Sequence, residues 1–272
     1  GETSIDGFDD WAKELVTTGY LHNHARMWFA SIWIFTLRLP WELGADFFLR
    51  HLMDGDPASN TLAWRWVAGI QTKGRPYVAR VSNISKFTDR RFAPLHQLQT
   101  QVQPLSETVD HLRRPLPEAM TPAEITRDYL LLVTEDDMQV AQTLSHPPTA
   151  KVGALATTGR SPLPLGTIAQ TFAADAMRDI CSEMQIIEDE DWAEGIIAAC
   201  QTHNLKTVVT GYAPIGPVAT TLATVEPILR KEGIKLLQVR RAFDTVAWPH
   251  ATKGFFAMKK GIPRVLETLG FC

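Results

Sequence analysis

Apolar residues recur three and four positions apart along the first seventy residues, and that spacing predicts four helices before any strand. In "FDDWAKELVTTG", Phe8, Trp11, Leu15 and Val16 fall on one face, and Gly19 stands where a left-handed C-terminal cap belongs. "HNHARMWFASIWIFTLRL" carries a second helix up to Pro40, whose ring disfavours helical backbone in the residue before it. "WELGADFFLRHLM" predicts a third helix, closed by the "DGD" turn. "SNTLAWRWVAGI" predicts a fourth, with Ser59 or Asn60 available as its cap.

The periodicity then fades. "TKGRPYVARVSNISKF" reads as an irregular surface segment, and the proline-rich "QPLSETVDHLRRPLPEAMTPAE" reads as a linker. From Asp128 the texture becomes short β-branched runs, "YLLLV", "KVGALAT", "LKTVVTGY" and "IKLLQV". Helical segments alternate with them: "DMQVAQTL", "PLGTIAQTFAADAMRDICSEM", "DEDWAEGIIAACQTHN" and "PVATTLATVEPILRKEG". Such alternation predicts a parallel sheet with helices on its faces. A last helix, "ATKGFFAMKKGIPRVLETLG", is expected to break at Pro263. The fold class expected is therefore α followed by α/β, with a helical part over residues 1–114, a linker at 115–126 and a Rossmann-like α/β domain at 127–272.

Composition narrows the function. Of 272 residues 45% are hydrophobic, enough for a real core, and the net charge of −3 is no general nucleic-acid footprint. Residues 1–114 hold 13 basic against 12 acidic side chains, leaving 14 against 18 in the remainder, so any DNA contact needs a local patch in the first half. Arg65, Lys73, Arg75, Arg80, Lys86, Arg90 and Arg91 are its candidates. Cys181, Cys200 and Cys272 form no paired or metal-binding spacing, which suits a reduced cytoplasmic protein. The apolar run "MWFASIWIFTL" is too short to span a bilayer. The chain opens on Gly1, as a processed or excised portion of a longer protein would.

Some residues exceed what packing requires. His22 and Arg26 share one helical face, and Asn23 and Met27 the next. Exposed histidines and an ion pair at Arg26 would account for them without a ligand. Asp54 and Asp56 in "DGDPASN" lack the glycine and closing glutamate of a calcium loop, and a turn with a helix cap is the plainer account. Trp64 and Trp66 lie two apart on a helix and so point in different directions. One of them leaves the core, where an indole can stack on a planar ring. "TGYAPIGPV", after a strand, is a possible ligand loop but has neither GxGxxG nor P-loop spacing, so it also reads as a plain turn.

Together these residues resemble a known family. "TGYLHNHARMWFASIWIFTLRLPWELGADFFLRHLMDGDPASNTLAWRWVAGIQTKGRPYVARVSN" is similar, without an evident gap, to the C-terminal half of the flavin-binding domain of photolyases and cryptochromes. The resemblance implies FAD as cofactor and blue-light-driven electron transfer to pyrimidine dimers in DNA. A flavin-based light or redox sensor without repair activity is the alternative. It implies that Arg26 and Asp54 form an ion pair beside the flavin ring, that Asp56 is a second carboxylate there, and that Asn60 faces the ring N5. It further implies that Trp64 and Trp41 are the proximal and middle members of an electron-donating tryptophan chain. Asn23, Met27 and Trp66 match positions that meet the dimer. His24 stands where the family usually has an arginine, so its substrate contact is expected to be weaker. The stretch that cradles the FAD phosphates, the substrate glutamate and the outer tryptophan would precede Gly1, so the missing part of the domain or a partner chain is expected to be needed. The family's α/β domain precedes its flavin domain. Here an α/β part follows, and "VVTGYAPIGPVATTLATVEPILRKEGIKLLQV" more distantly resembles the latter half of that domain.

Overall fold

A computed structural model describes residues 1–109, 111, 112, 114, 116–180, 184–187, 191–252 and 254–271. Cys181 and Cys272 lie outside the described residues, and Cys200 is buried. Two compact units form, Gly1–Asp110 with Thr157–Asp175 and His111–Ala156 with Ala176–Cys272.

The first unit is helical. α1 (Phe8–Thr18) buries Phe8, Trp11, Ala12 and Leu15, and Gly19 ends it at φ 68°. Val16, expected on the buried face, is 44% exposed, because its position lies beyond the edge of the apolar stripe. α2 (Asn23–Ser31) passes into a π-helical turn at Ile32–Thr36, so the expected single helix to Pro40 changes pitch midway. α3 (Trp41–His51) follows Pro40. α4 (Pro57–Ala68) begins earlier than expected: Asp56 is its cap, accepting from Ser59 N at 2.6 Å, with Pro57 at the first helical position. Gly69 ends it at φ 83°. The segment expected to be irregular contains a further helix, α5 (Val81–Phe87), anchored through buried Ile84. Buried Ser31 accepts from Ala79 N at 2.9 Å and fastens the chain leading to α5 onto α2.

The core of this unit is aromatic. Phe8 stacks on Phe29 at 4.3 Å, Phe29 meets Phe48 at 5.2 Å, and Phe48 meets Trp64 edge to face at 5.0 Å. Trp28 is also buried, and its indole N–H donates to Asn83 Oδ1 at 2.9 Å.

The second unit is a five-stranded parallel sheet in the order β3-β2-β1-β4-β5. Its strands are β1 (Leu130–Thr134), β2 (Ala150–Ala154), β3 (Ile186–Ile187), β4 (Thr207–Gly211) and β5 (Lys235–Val239). All five residues of β1 are buried, as a central strand covered on both faces requires. Leu130 and Leu132 pack with α7 (Trp192–Thr202) and α8 (Pro217–Lys231) through Trp192, Ile196, Leu222 and Leu229. Leu131 and Val133 face the other way, onto Met177 of α6 (Thr167–Ile180). The α plus parallel α/β class expected from the sequence is the one observed.

Three local expectations change. "DMQVAQTL" makes only a short 3-10 turn at Val140–Thr143, and β3 forms from a two-residue apolar run too short to carry a periodic signal. The final helix α10 (Phe255–Thr268), preceded by the short α9 (Ala242–Ala247), continues through Pro263.

One histidine couples the first unit to pH. His51 closes α3 with its ring 4.8 Å from Phe47, and its Nδ1 is buried without a protein partner among the described residues. Burial, and then the neighbouring Arg50 charge, push its pKa below the ordinary value. The fold therefore favours neutral imidazole. Stability is fully present above the unfolded value of about 6.5 and falls as pH drops below it towards the folded value. Thermal melting at pH 8 and 5.5 should show a smaller acid-induced loss in His51→Gln than in the unsubstituted chain. Equal losses would contradict this assignment.

Candidate functional site

The helical unit contains a cavity of about 240 Å³ between α2, α4 and the turn joining α3 to α4. Asn23, Arg26 and Met27 reach it from α2, on the stripe formed by i, i+3 and i+4 positions. Asp54 and Asp56 come from the turn, and Asn60, Trp64 and Trp66 from α4. Ala30, Phe48, Leu52 and Val67 give it apolar walls. Two residues expected at the site do not line it. The His24 ring stacks on Phe87 at 4.8 Å and on Trp28 at 5.7 Å, on the side of α2 that meets α5. Trp41 lines a separate groove with Pro40, Val102 and Leu105, and Arg65 lies over its ring at 5.9 Å.

The side chains of Arg26, Asp54, Asp56 and Asn60 are tied down at the cavity. Arg26 Nη2 donates to both oxygens of Asp54 at 3.0 Å, and its Nε donates to Leu21 O at 2.7 Å. The side chains of Arg26 and Asp54 are 24% and 60% exposed, so this is a rim ion pair contributing about 0–1 kcal/mol, not a desolvated one. The Asp56 carboxylate caps α4, so one residue serves both the helix and the cavity. Asn60 Nδ2 donates to Ala45 O at 2.7 Å, which fixes the amide plane and leaves Oδ1 as its acceptor.

Trp64 and Trp66 divide as their spacing expects. Trp64 is 2% exposed, whereas Trp66 is 38% exposed and backed by Tyr77 at 5.5 Å. Sequence reasoning did not find what seats Trp64. A Cβ at Gly44 would collide with the Trp64 ring and come within 3.0 Å of Trp33 Nε1, so α3 must be bare at this point. The available signal was a lone glycine inside an otherwise apolar helix. Among the proposed basic rim residues, Arg65 is committed to a two-point pair with Glu107, which raises its pKa, while Arg75, Arg80, Lys86, Arg90 and Arg91 are exposed.

In the α/β unit the loop after β4 adjoins the point where strand order reverses, between β1 and β4. Arg241 donates to Asp137 there at 2.6 and 2.7 Å, and Gly211 leaves room for Asp137 beside β4.

Residues 1–121 match the family model described as the FAD binding domain of DNA photolyase. Through these residues the chain is similar to the flavin-binding domain of DNA photolyases. It is 45% identical over 76 residues to a deoxyribodipyrimidine photo-lyase of Streptomyces griseus, covering 28% of this chain and 17% of that protein. Against the photo-lyase of Alkalihalophilus pseudofirmus the figures are 33% over 111 residues, 41% and 23%. Against that of Escherichia coli they are 36% over 77 residues, 28% and 16%. The chain thus spans under a quarter of the length of these photolyase relatives. No solved structure matches it.

The cavity suits a flavin ring. Its walls are apolar, Trp64 Nε1 is a buried donor with no protein partner among the described residues, and carboxylate and amide acceptors stand at its edge. Its volume is below the roughly 300–1,000 Å³ of pockets that enclose drug-sized ligands, which fits the ring system and not the whole dinucleotide.

Gly44→Ala should therefore cost about 1–3 kcal/mol through overpacking and displace Trp64. Urea unfolding and near-ultraviolet circular dichroism will check it, with exposed Leu43→Ala as the control. An unchanged midpoint and spectrum would refute the close-approach account.

Proposed function

We propose that this protein is a photolyase-type flavoprotein that holds FAD with its ring in the helical unit's cavity and serves the light-driven splitting of pyrimidine dimers in DNA. The observation that carries this reading is the convergence of Asn23, Arg26, Met27, Asp54, Asp56, Asn60, Trp64 and Trp66 on a single cavity. Bound there, the flavin supplies photo-induced one-electron chemistry. The remaining work belongs to the chain.

Asn60 Oδ1, held by the bond to Ala45, would accept a hydrogen bond from a ring N–H and so favour a proton at that atom. The Arg26–Asp54 pair and Asp56 would place fixed charge beside the ring. Trp64, dry and edge-on to Phe48, is an oxidisable donor beside the cavity. Photolyases are known base-flipping enzymes, and a flipped pyrimidine pair needs a flat apolar platform. Trp66 offers one, stiffened by Tyr77, with the Asn23 amide and the polarizable Met27 thioether alongside. Because His24 is engaged with Phe87 and Trp28, it acts here by stacking and leaves phosphate attraction to Arg75, Arg80, Lys86, Arg90 and Arg91. Affinity for DNA then falls with salt in proportion to the phosphates these residues meet.

Purified alone or with a chain that supplies the rest of the flavin domain, the protein should show oxidised-flavin absorption in the visible, and Asp54→Ala should lower flavin occupancy with little loss of fold stability, since the pair sits at the rim. Dimer-containing oligonucleotide should bind more tightly than undamaged strand and lose its dimers under blue light. Flavin present, but with equal binding of both strands and no light-dependent repair, would replace repair by the sensor reading. Full occupancy in Asp54→Ala would remove the ion pair from the flavin site.

A further inference from the structure

Past the residues that match the flavin-binding model, the chain reverses its charge. Residues 115–239 hold 8 basic against 16 acidic side chains, whereas residues 240–272 hold 6 basic against 2 acidic. The basic stretch includes α9, the turn Trp248–His250 and α10. Two of its cations serve the fold: Arg240 donates to Pro117 O at 2.7 Å, and Arg241 is paired with Asp137. Lys259, Lys260 and Arg264 stand exposed on α10 and pair with no carboxylate among the described residues.

One side of α10 is seated on the fold. Val265 is its buried side chain, and a Cβ at Gly261 would come within 3.1 Å of the His250 ring. The outward side carries unlike groups. Phe255 and Phe256 are 67% and 79% exposed, their rings 5.4 Å apart and set at 70°. At about 100° of turn per residue, Phe255, Lys259, Phe256 and Lys260 follow one another round this arc, with Arg264 at its edge. Glu267 is the one carboxylate of the helix. Rings and cations therefore alternate on one face.

A helix that lies in a membrane surface separates these groups, with an apolar face below and a charged face above. Alternation fits instead a polymer that itself alternates flat bases with phosphates, where rings stack on bases and cations meet phosphates. We infer that the outward face of α10 binds single-stranded nucleic acid. In a duplex the bases are already stacked on one another, so an open strand is the form that offers base faces to Phe255 and Phe256. The acidic surplus over residues 115–239 disfavours the same strand on the rest of the unit, which focuses it on this face. The site lies outside residues 1–121, which match the flavin-binding model, and it needs no flavin.

The test uses the full chain in the dark and a short fluorescein-labelled oligothymidylate without dimers, followed by anisotropy. Phe255→Ala combined with Phe256→Ala should weaken binding roughly tenfold or more, while Phe255→Tyr with Phe256→Tyr should hold it within about twofold. Lys259→Gln with Lys260→Gln should make the plot of log affinity against log salt shallower by about 1.4, since each phosphate met on a single strand contributes about 0.7. An abasic strand of the same length, with the charge but no bases, should bind roughly tenfold more weakly than oligothymidylate. A strand carrying 5-iodouracil, irradiated with long-wavelength ultraviolet light, should cross-link to the peptide that contains Phe255 and Phe256. Unchanged affinity in the double alanine variant, equal binding of the abasic strand, or cross-links confined to residues 1–110 would overturn the inference. So would binding to phosphatidylserine vesicles that the alanine variant abolishes, with no binding of the strand, since that result assigns the face to a membrane surface.

Discussion

The absence of a side chain at Gly44 is the constraint on which the helical unit's cavity depends. With only hydrogen there, α3 and α4 approach until the Trp64 ring lies against the α3 backbone. One residue further along α3, the Ala45 carbonyl comes within hydrogen-bonding range of Asn60, and one turn on, Phe48 meets Trp64 edge to face. The same approach sets the inner wall of the cavity. A methyl group at this one position would push on Trp64 and Trp33 together.

Around that fixed wall the polar groups are held by geometry more than by energy. The Arg26–Asp54 pair is half in solvent, and its value lies in where it places charge. Arg26 keeps its orientation because its Nε also donates to Leu21 O, so the guanidinium does not depend on Asp54 alone. Asp56 is more costly to change, since it caps α4 as well as lining the cavity, and loss of such a cap costs about 1 kcal/mol. Rigid aromatic packing below and exposed charge above is a suitable arrangement for a planar ligand whose electronics the protein must tune.

Much of this was legible in the sequence, for reasons that differ by residue. The stripe of Asn23, Arg26 and Met27 follows from helical period, and the burial of β1 follows from an unbroken apolar run. Asp54, Asp56 and Asn60 were recognisable as a set only through the family resemblance, because a turn and a cap explain their residue types equally well. In the structure Asp56 caps α4 and also lines the cavity. α5 escaped notice because "VSNISKF" is short and polar, and it forms by tertiary attachment through Ile84 and the Ser31–Ala79 bond. The stacking of His24 on Phe87 was equally hidden, since their rings meet across 62 intervening positions of sequence. Gly44 was visible as a letter but not as a contact.

The account's central claim is that one cavity in the helical unit holds the flavin ring. A crystal structure of the full chain grown with FAD tests it most directly. The account predicts the isoalloxazine between Asn60 and the Arg26–Asp54 pair, with Trp64 and Trp66 on its borders. A flavin bound instead at the strand ends of the α/β unit, with the helical cavity closed, would contradict it.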